Sequence, residues 1–227
     1  MKPLLALLAC VTLVTPALAQ ETGSLIQKRR AAQIDSTSPA GARNTMFQFA
    51  QCIVSRDKGR VARMLELPVD NAEYRRIANK LFDTTDDECL SDGGLAFNST
   101  LFAGAVFEAL YIRDYKYGGP TSFAPELKTN YVALYPTPLS PVARQALTLE
   151  QFGECIARAE PVEARKLLLS LPGSSTEREQ FALLNPRIGA CVVQGSTLTM
   201  SKAIVRGALA EGMYRLSLAS AGAGAAK

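Results

Sequence analysis

The sequence predicts an all-α fold built from two similar halves, and three observations carry that prediction. Apolar residues recur at helical spacing, with none of the period-two alternation of a half-buried strand. A set of residues near position 50 returns in the same order about a hundred residues later. Four cysteines fall at matching places in the two sets.

The recurrence is specific. Phe49, Cys52 and Ile53 return as Phe152, Cys155 and Ile156; Leu67-Pro68 returns as Leu171-Pro172 and Glu73 as Glu177. Cys89 and Gly93 return as Cys191 and Gly195, and Gly104-Ala105, Glu108 and Tyr111 return as Gly207-Ala208, Glu211 and Tyr214. The expected organisation is a tandem duplication of a four-helix, one-disulfide unit, 44–113 and 148–218, joined by a long Pro/Tyr-rich segment, 114–147, and packed as one helical domain. In each unit the last segment places a stripe on one face: Leu101, Phe102, Ala105, Val106, Ala109 and Leu110, then Ile204, Val205, Ala208, Leu209, Gly212, Met213 and Leu216. Helix punctuation frames the earlier segments. Thr148 with Gln151 fits a capping box, Pro161 suits a first turn, Pro68 and Pro172 mark stops, and Ser174 to Glu177 reads as an N-terminus.

The ends indicate export. Lys2, an apolar run from Leu4 to Val14 and Ala17-Leu18-Ala19 have the form of a signal peptide over 1–19, cleaved after Ala19. The run is shorter than the roughly 20 residues of a membrane span, so no transmembrane segment is expected. A lipoprotein box at Leu7-Leu8-Ala9-Cys10 is the lesser alternative, because it strands the rest of the run and the Ala-Leu-Ala site. Residues 20–43 are expected to form a flexible arm and 219–227 a disordered tail. Loss of Cys10 leaves Cys52, Cys89, Cys155 and Cys191, an even set suited to disulfides in an oxidising compartment. Cys52 and Cys89 are 37 apart and Cys155 and Cys191 are 36 apart, so the repeat pairs each within its own unit. Loops of that size stabilise by about 3 to 4 kcal/mol in the chain-entropy treatment.

Chemistry is narrowed by elimination. The chain has no histidine, which removes histidine-dependent triads and imidazole metal sites. No Cys-x-x-Cys, phosphate-cradling glycine loop or Gly-x-Ser-x-Gly occurs. The acidic stretch Asp83 to Asp92 lacks the glycine and terminal glutamate of a calcium loop and reads as a solvated loop. A formal charge of +4, reduced to +3 without Lys2, argues against nucleic acid, and Lys28-Arg29-Arg30 is too short an anchor. No cofactor or metal is expected.

Two groups of residues remain as candidates. Gly104, Glu108 and Tyr111 share one helical face, as do Gly207, Glu211 and Tyr214. The favoured reading pairs each glutamate with an arginine of the second helix, Arg63 or Arg165; the alternative sets both carboxylates in one groove as acid and base acting on a glycan. The connecting segment carries Tyr115, Tyr117, Phe123, Tyr131 and Tyr135, expected to pack as a strap or to dock a partner. The layout of Cys-Ile, an Ala-Arg-x-Leu helix, Leu-Pro, Cys and Gly-Ala-x-x-Glu resembles small exported proteins of Gram-negative bacteria, and the resemblance implies compartment alone. The expectation is a non-enzymatic protein-binding adaptor or accessory subunit of the bacterial envelope, periplasmic or extracellular, whose partner is another exported protein. A small-ligand or lipid carrier with a cleft between the repeats and a glycan-acting enzyme using Glu108 and Glu211 are the alternatives; the oligomeric state is left open.

Overall fold

The computed structural model describes residues 38–90, 98–129, 131–192 and 200–225. The signal segment, the arm up to residue 37, Lys28-Arg29-Arg30, Gly93 and Gly195 lie outside the described residues. The described chain is helical and contains no strand. Among the described residues there are eight α-helices: α1 Pro39–Arg56, α2 Lys58–Leu65, α3 Ala72–Cys89, α4 Ser99–Tyr115, α5 Pro141–Ala159, α6 Pro161–Leu169, α7 Ser175–Cys191 and α8 Lys202–Ala225, with a short 3-10 turn at Tyr131–Leu134.

Local chemistry sets the starts. Ser38 accepts a hydrogen bond from the Gly41 amide and Ser140 from the Ala143 amide, each followed by proline at the first helical position. Asp57 caps α2, Asn98 caps α4 and Ser174 caps α7 by the same device. Two expected boundaries are thereby corrected. Residues 39–43, assigned to the arm, are the first turn of α1, and 141–147, assigned to the connecting segment, open α5. The matching Ser-Pro pairs, 38-39 and 140-141, are the signal for both starts. Thr148 is therefore interior to α5 and no cap; its hydroxyl donates to the Arg144 carbonyl one turn back. The acidic stretch is also not a loop where it is described, because α3 runs to Cys89. The tail departs in the same sense: α8 continues through Ala225, with alanines that suit a helix at positions expected to be disordered.

The disulfides are Cys52–Cys89 and Cys155–Cys191, with Cα separations of 5.6 and 5.8 Å. Each ties the first long helix of its half, α1 or α5, to the last residue of the third, α3 or α7.

The core is organised around α4 and α8, which pack on each other, with α1 against α4 and α5 against α8. From Phe102 to Tyr111 every residue of α4 is buried, so over that span the helix has no solvent face, and the predicted stripe underestimates its burial. Close approach depends on glycine. A Cβ at Gly104 would lie 2.6 Å from the Gly207 Cα, and one at Gly207 would lie 2.8 Å from the Gly104 Cα. The α5–α8 contact is tighter still, since a Cβ at Gly153 would sit 1.9 Å from the Ala208 carbonyl oxygen.

Candidate functional site

The glycine crossing positions both candidate glutamates, yet it sends them into different surroundings. Glu108 is buried and accepts two hydrogen bonds from Arg206, at 2.8 Å from Nε and 2.6 Å from Nη2. Arg206 in turn donates to the Ser170 carbonyl at 2.5 Å, the Leu168 carbonyl at 3.2 Å and Glu177 Oε1 at 3.3 Å. Its guanidinium also lies 5.9 Å from the centre of the Phe47 ring. Glu177 completes the set, accepting from Arg43 and from the Gly173 amide, each at 2.7 Å. Two arginines and two glutamates thus compensate one another inside the protein. Burial, the largest influence, pushes the Glu108 carboxyl up against the pull of Arg206.

Glu211 pairs with Arg215 one turn along α8, at 2.8 Å, and Arg215 lies 5.0 Å from the centre of the Phe107 ring. The expected partners are corrected for both glutamates: Arg206 and Arg215 hold them, not Arg63 and Arg165. Arg165 instead donates to the carbonyls of Tyr115 and Lys116 at the end of α4, and Arg63 projects from α2 into solvent. Arg206 was not identifiable by repetition, because its counterpart in the first half is Ala103.

Beside the crossing is a cavity of about 30 Å³ lined by Gly104, Gly207, Ala103, Ala208, Glu150 and Glu211, among others. Glu108 does not line it. This cavity is therefore not shared by the two carboxylates. A space of this size admits a water molecule and not an acyl chain.

Glu150 is the residue the sequence did not single out. It is 5% exposed, accepts from the Tyr135 hydroxyl at 2.7 Å, and its Oε2 has no hydrogen-bond partner among the described residues. Burial, with the charge of Glu211 next, pushes its pKa up to about 8. The folded protein then holds a proton that the unfolded chain releases above about pH 4.3. The contribution of Glu150 to stability falls as pH rises from the ordinary carboxylate range to about 8, by up to ~1.4 kcal/mol per pH unit. Glu150→Gln should flatten this slope in urea titrations between pH 5 and 8 and leave stability at pH 4 nearly unchanged; an equal slope in the variant would contradict the assignment.

The aromatic residues of the connecting segment are mostly structural. Tyr131 and Tyr135 are buried, while Tyr115 and Phe123 are half-buried against the core. Tyr115 packs between Tyr111 and Tyr214, at 5.4 and 6.3 Å between ring centres. The segment is clasped to α5 by Glu154, which accepts from Thr129, Tyr131 and Arg158, while Arg158 donates to the carbonyls of Ala124 and Leu127. These hydroxyls serve contacts within the protein, although Tyr131 also lines an open pocket of about 610 Å³ with Leu127, Thr129 and Glu154. Tyr117, 94% exposed, is the one of the five that stands in solvent.

Three exposed apolar side chains fall together on the helical pair α6 and α7. A groove of about 460 Å³ runs between them, lined by Lys166, Leu169, Ser170, Leu171, Thr176 and Gln180 with Ser174. Leu171 at its mouth is 58% exposed. Val162, four residues before Lys166, and Leu183, three after Gln180, continue the same helical faces and are 43% and 56% exposed. At the far end Glu160 and Arg187 pair at 2.9 Å across the two helices. No family model, curated protein or solved structure matches the chain.

Proposed function

We propose that this protein is an exported, non-enzymatic protein-binding module of a bacterial envelope, and that the α6–α7 groove takes an apolar segment of another exported protein. The observation that carries the reading is the exposure of Leu171, Leu183 and Val162 along one helical pair in a protein whose other large side chains are mostly enclosed. Isolated surface leucines need no explanation, whereas Leu171 at the mouth of a groove, with Val162 and Leu183 exposed beyond it on the same two helices, supports an interaction site. Two disulfides support an oxidising compartment, and no described helix is long and apolar enough to cross a membrane.

The two halves, on this reading, descend from one duplicated four-helix unit. Support comes from the order long, short, long, long in each half, from disulfides at separations of 37 and 36, and from glycines at equivalent positions meeting at the central crossing. Among the described residues the groove with exposed Leu171 lies in the second half, and on this reading the copies have different tasks.

Leu171→Asp combined with Leu183→Asp tests the groove. Both positions are exposed, so the variant should fold and melt like the parent, while recovery of a co-purifying envelope protein drops at least tenfold. Undiminished recovery with the double variant would refute the groove as the docking site.

A further inference from the structure

The first half carries a strongly basic surface on its own helical pair. Between α2 and α3 is a pocket of about 210 Å³ lined by Arg60, Arg63, Arg76, Lys80, Glu73 and Ile77. Four cations face one carboxylate, over a floor formed by the buried Ile77. Residues 56–80 contain seven Lys or Arg against four Asp or Glu, a net of +3, whereas the matching stretch 158–184 contains four of each and nets zero. The difference is concentrated at the pocket. In the register that aligns Ala62-Arg63 with Ala164-Arg165 and Glu73 with Glu177, Arg60 becomes Val162, Arg76 becomes Gln180 and Lys80 becomes Leu184.

The helical pair therefore folds in the second half without these charges. Gathering them around one depression raises the free energy of the fold through mutual repulsion, so packing does not account for them. Some of the charge is already engaged: Arg76 is held by Glu73 at 2.6 Å and Arg60 by Asp57 at 3.1 Å. Arg63 is exposed and is held in no salt bridge among the described residues, although its charge, after that of Arg76, helps draw the Glu73 carboxyl down. Its rigid fork of donors, next to two further guanidiniums and an ammonium, suits a tetrahedral dianion better than a planar carboxylate, because several oxygens can be contacted from different directions.

We propose that the α2–α3 pocket binds a phosphate group, free or displayed on the headgroup of an anionic lipid, with Arg63 as the principal contact and Arg60, Arg76 and Lys80 supplying the surrounding field. Glu73 opposes this binding by occupying Arg76 and by its own charge. The site rests on charge and geometry in the first half and is independent of the protein-binding groove in the second.

The experiment uses the mature chain in a phosphate-free buffer at low ionic strength, with calorimetric titration of inorganic phosphate and flotation with phosphatidylglycerol or phosphatidylcholine vesicles. Saturable phosphate binding weakened at least fivefold by Arg63→Gln identifies the free ion as a ligand. Flotation with phosphatidylglycerol vesicles alone, lost in Arg63→Gln and without titration by inorganic phosphate, identifies the headgroup. In either case Glu73→Gln should tighten binding at least twofold, and Arg178→Gln, which removes an exposed arginine from the other half, should change it less than twofold. Absence of both activities overturns the proposal. So does an equal loss in Arg63→Gln and Arg178→Gln, which would mark unspecific attraction to net charge.

Discussion

Arg206→Ala is expected to destabilise the protein by about 3 to 5 kcal/mol, the range for breaking a buried ion pair from one side. The substitution removes more than a contact. It leaves Glu108 without its guanidinium, Glu177 with Arg43 alone as a cation, and the Leu168 and Ser170 carbonyls without the donor that now reaches them. Each is an interior acceptor that water served in the unfolded chain, so the cost is dominated by stranded charge. For a chain of this size, each kcal/mol lowers Tm by roughly 2 to 4 °C. Thermal and urea unfolding of the variant should therefore show a loss on the order of 10 °C. Glu108→Gln should cost less, because the amide oxygen still accepts from Arg206, and the double variant should lose less than the sum of the singles. A Tm within 2 °C of the parent for Arg206→Ala would contradict the network.

Gly153→Ala is the second large effect, and its sign is diagnostic. In an unconstrained helix interior, alanine in place of glycine stabilises by up to about 1 kcal/mol. At Gly153 the added methyl would meet backbone: 1.9 Å from the Ala208 oxygen, 2.3 Å from the Ala208 carbonyl carbon and 3.0 Å from the Leu209 nitrogen. Backbone atoms of a packed helix cannot turn aside as a flexible side chain can, so α5 must lift off α8 along its length. Gly212 shows the same contact from the other side, its added Cβ lying 2.7 Å from the Gly153 carbonyl carbon and the Glu154 nitrogen. Overpacking of this severity should cost about 3 kcal/mol or more. Gly59→Ala in α2 is the control, since nothing lies within 4 Å of its added methyl, and it should be neutral or mildly stabilising. Denaturant midpoints for the two variants should move in opposite directions; a shared direction would show that helix propensity, not close approach, governs Gly153.

The contrast between these residues and those recognisable in the chain has a physical basis. Cysteine spacing and helical periodicity are local properties of the sequence, and they sufficed for the all-helical class and for the disulfides. Glu108 was also conspicuous, as a charge in an apolar segment beside a glycine. Its partner was not, because Arg206 reaches it from 98 residues away and has alanine at its counterpart position. The same holds for Gly153, whose counterpart is Ala50: the demand for a glycine arises from how closely two helices meet, a tertiary quantity with no local pattern. Glu150 was invisible for a related reason, lying in an ordinary amphipathic helix until Tyr135 and Glu211 are brought to it. The Ser-Pro pairs at 38-39 and 140-141 were legible helix starts, and reading them would have set the N-terminal boundary of each half correctly.

The connecting segment illustrates the opposite risk. Its tyrosines look like contact residues in sequence, yet four of the five aromatics are half-buried or buried, and Tyr131 and Tyr135 spend their hydroxyls on Glu154 and Glu150. An aromatic residue with a polar tip serves equally well to seal a core and to meet a partner. Only burial distinguishes the two, and it transfers attention to α6 and α7.

The central claim is that the α6–α7 groove is where another exported protein docks. Site-specific photo-crosslinking in intact cells tests it most directly, with the reactive side chain placed at Leu171, at Leu183 and, as a more exposed control, at Tyr117. The account predicts that Leu171 and Leu183 crosslink to the same envelope protein in a discrete adduct that Tyr117 does not form. Adducts absent from both groove positions, or no stronger there than at Tyr117, would contradict it.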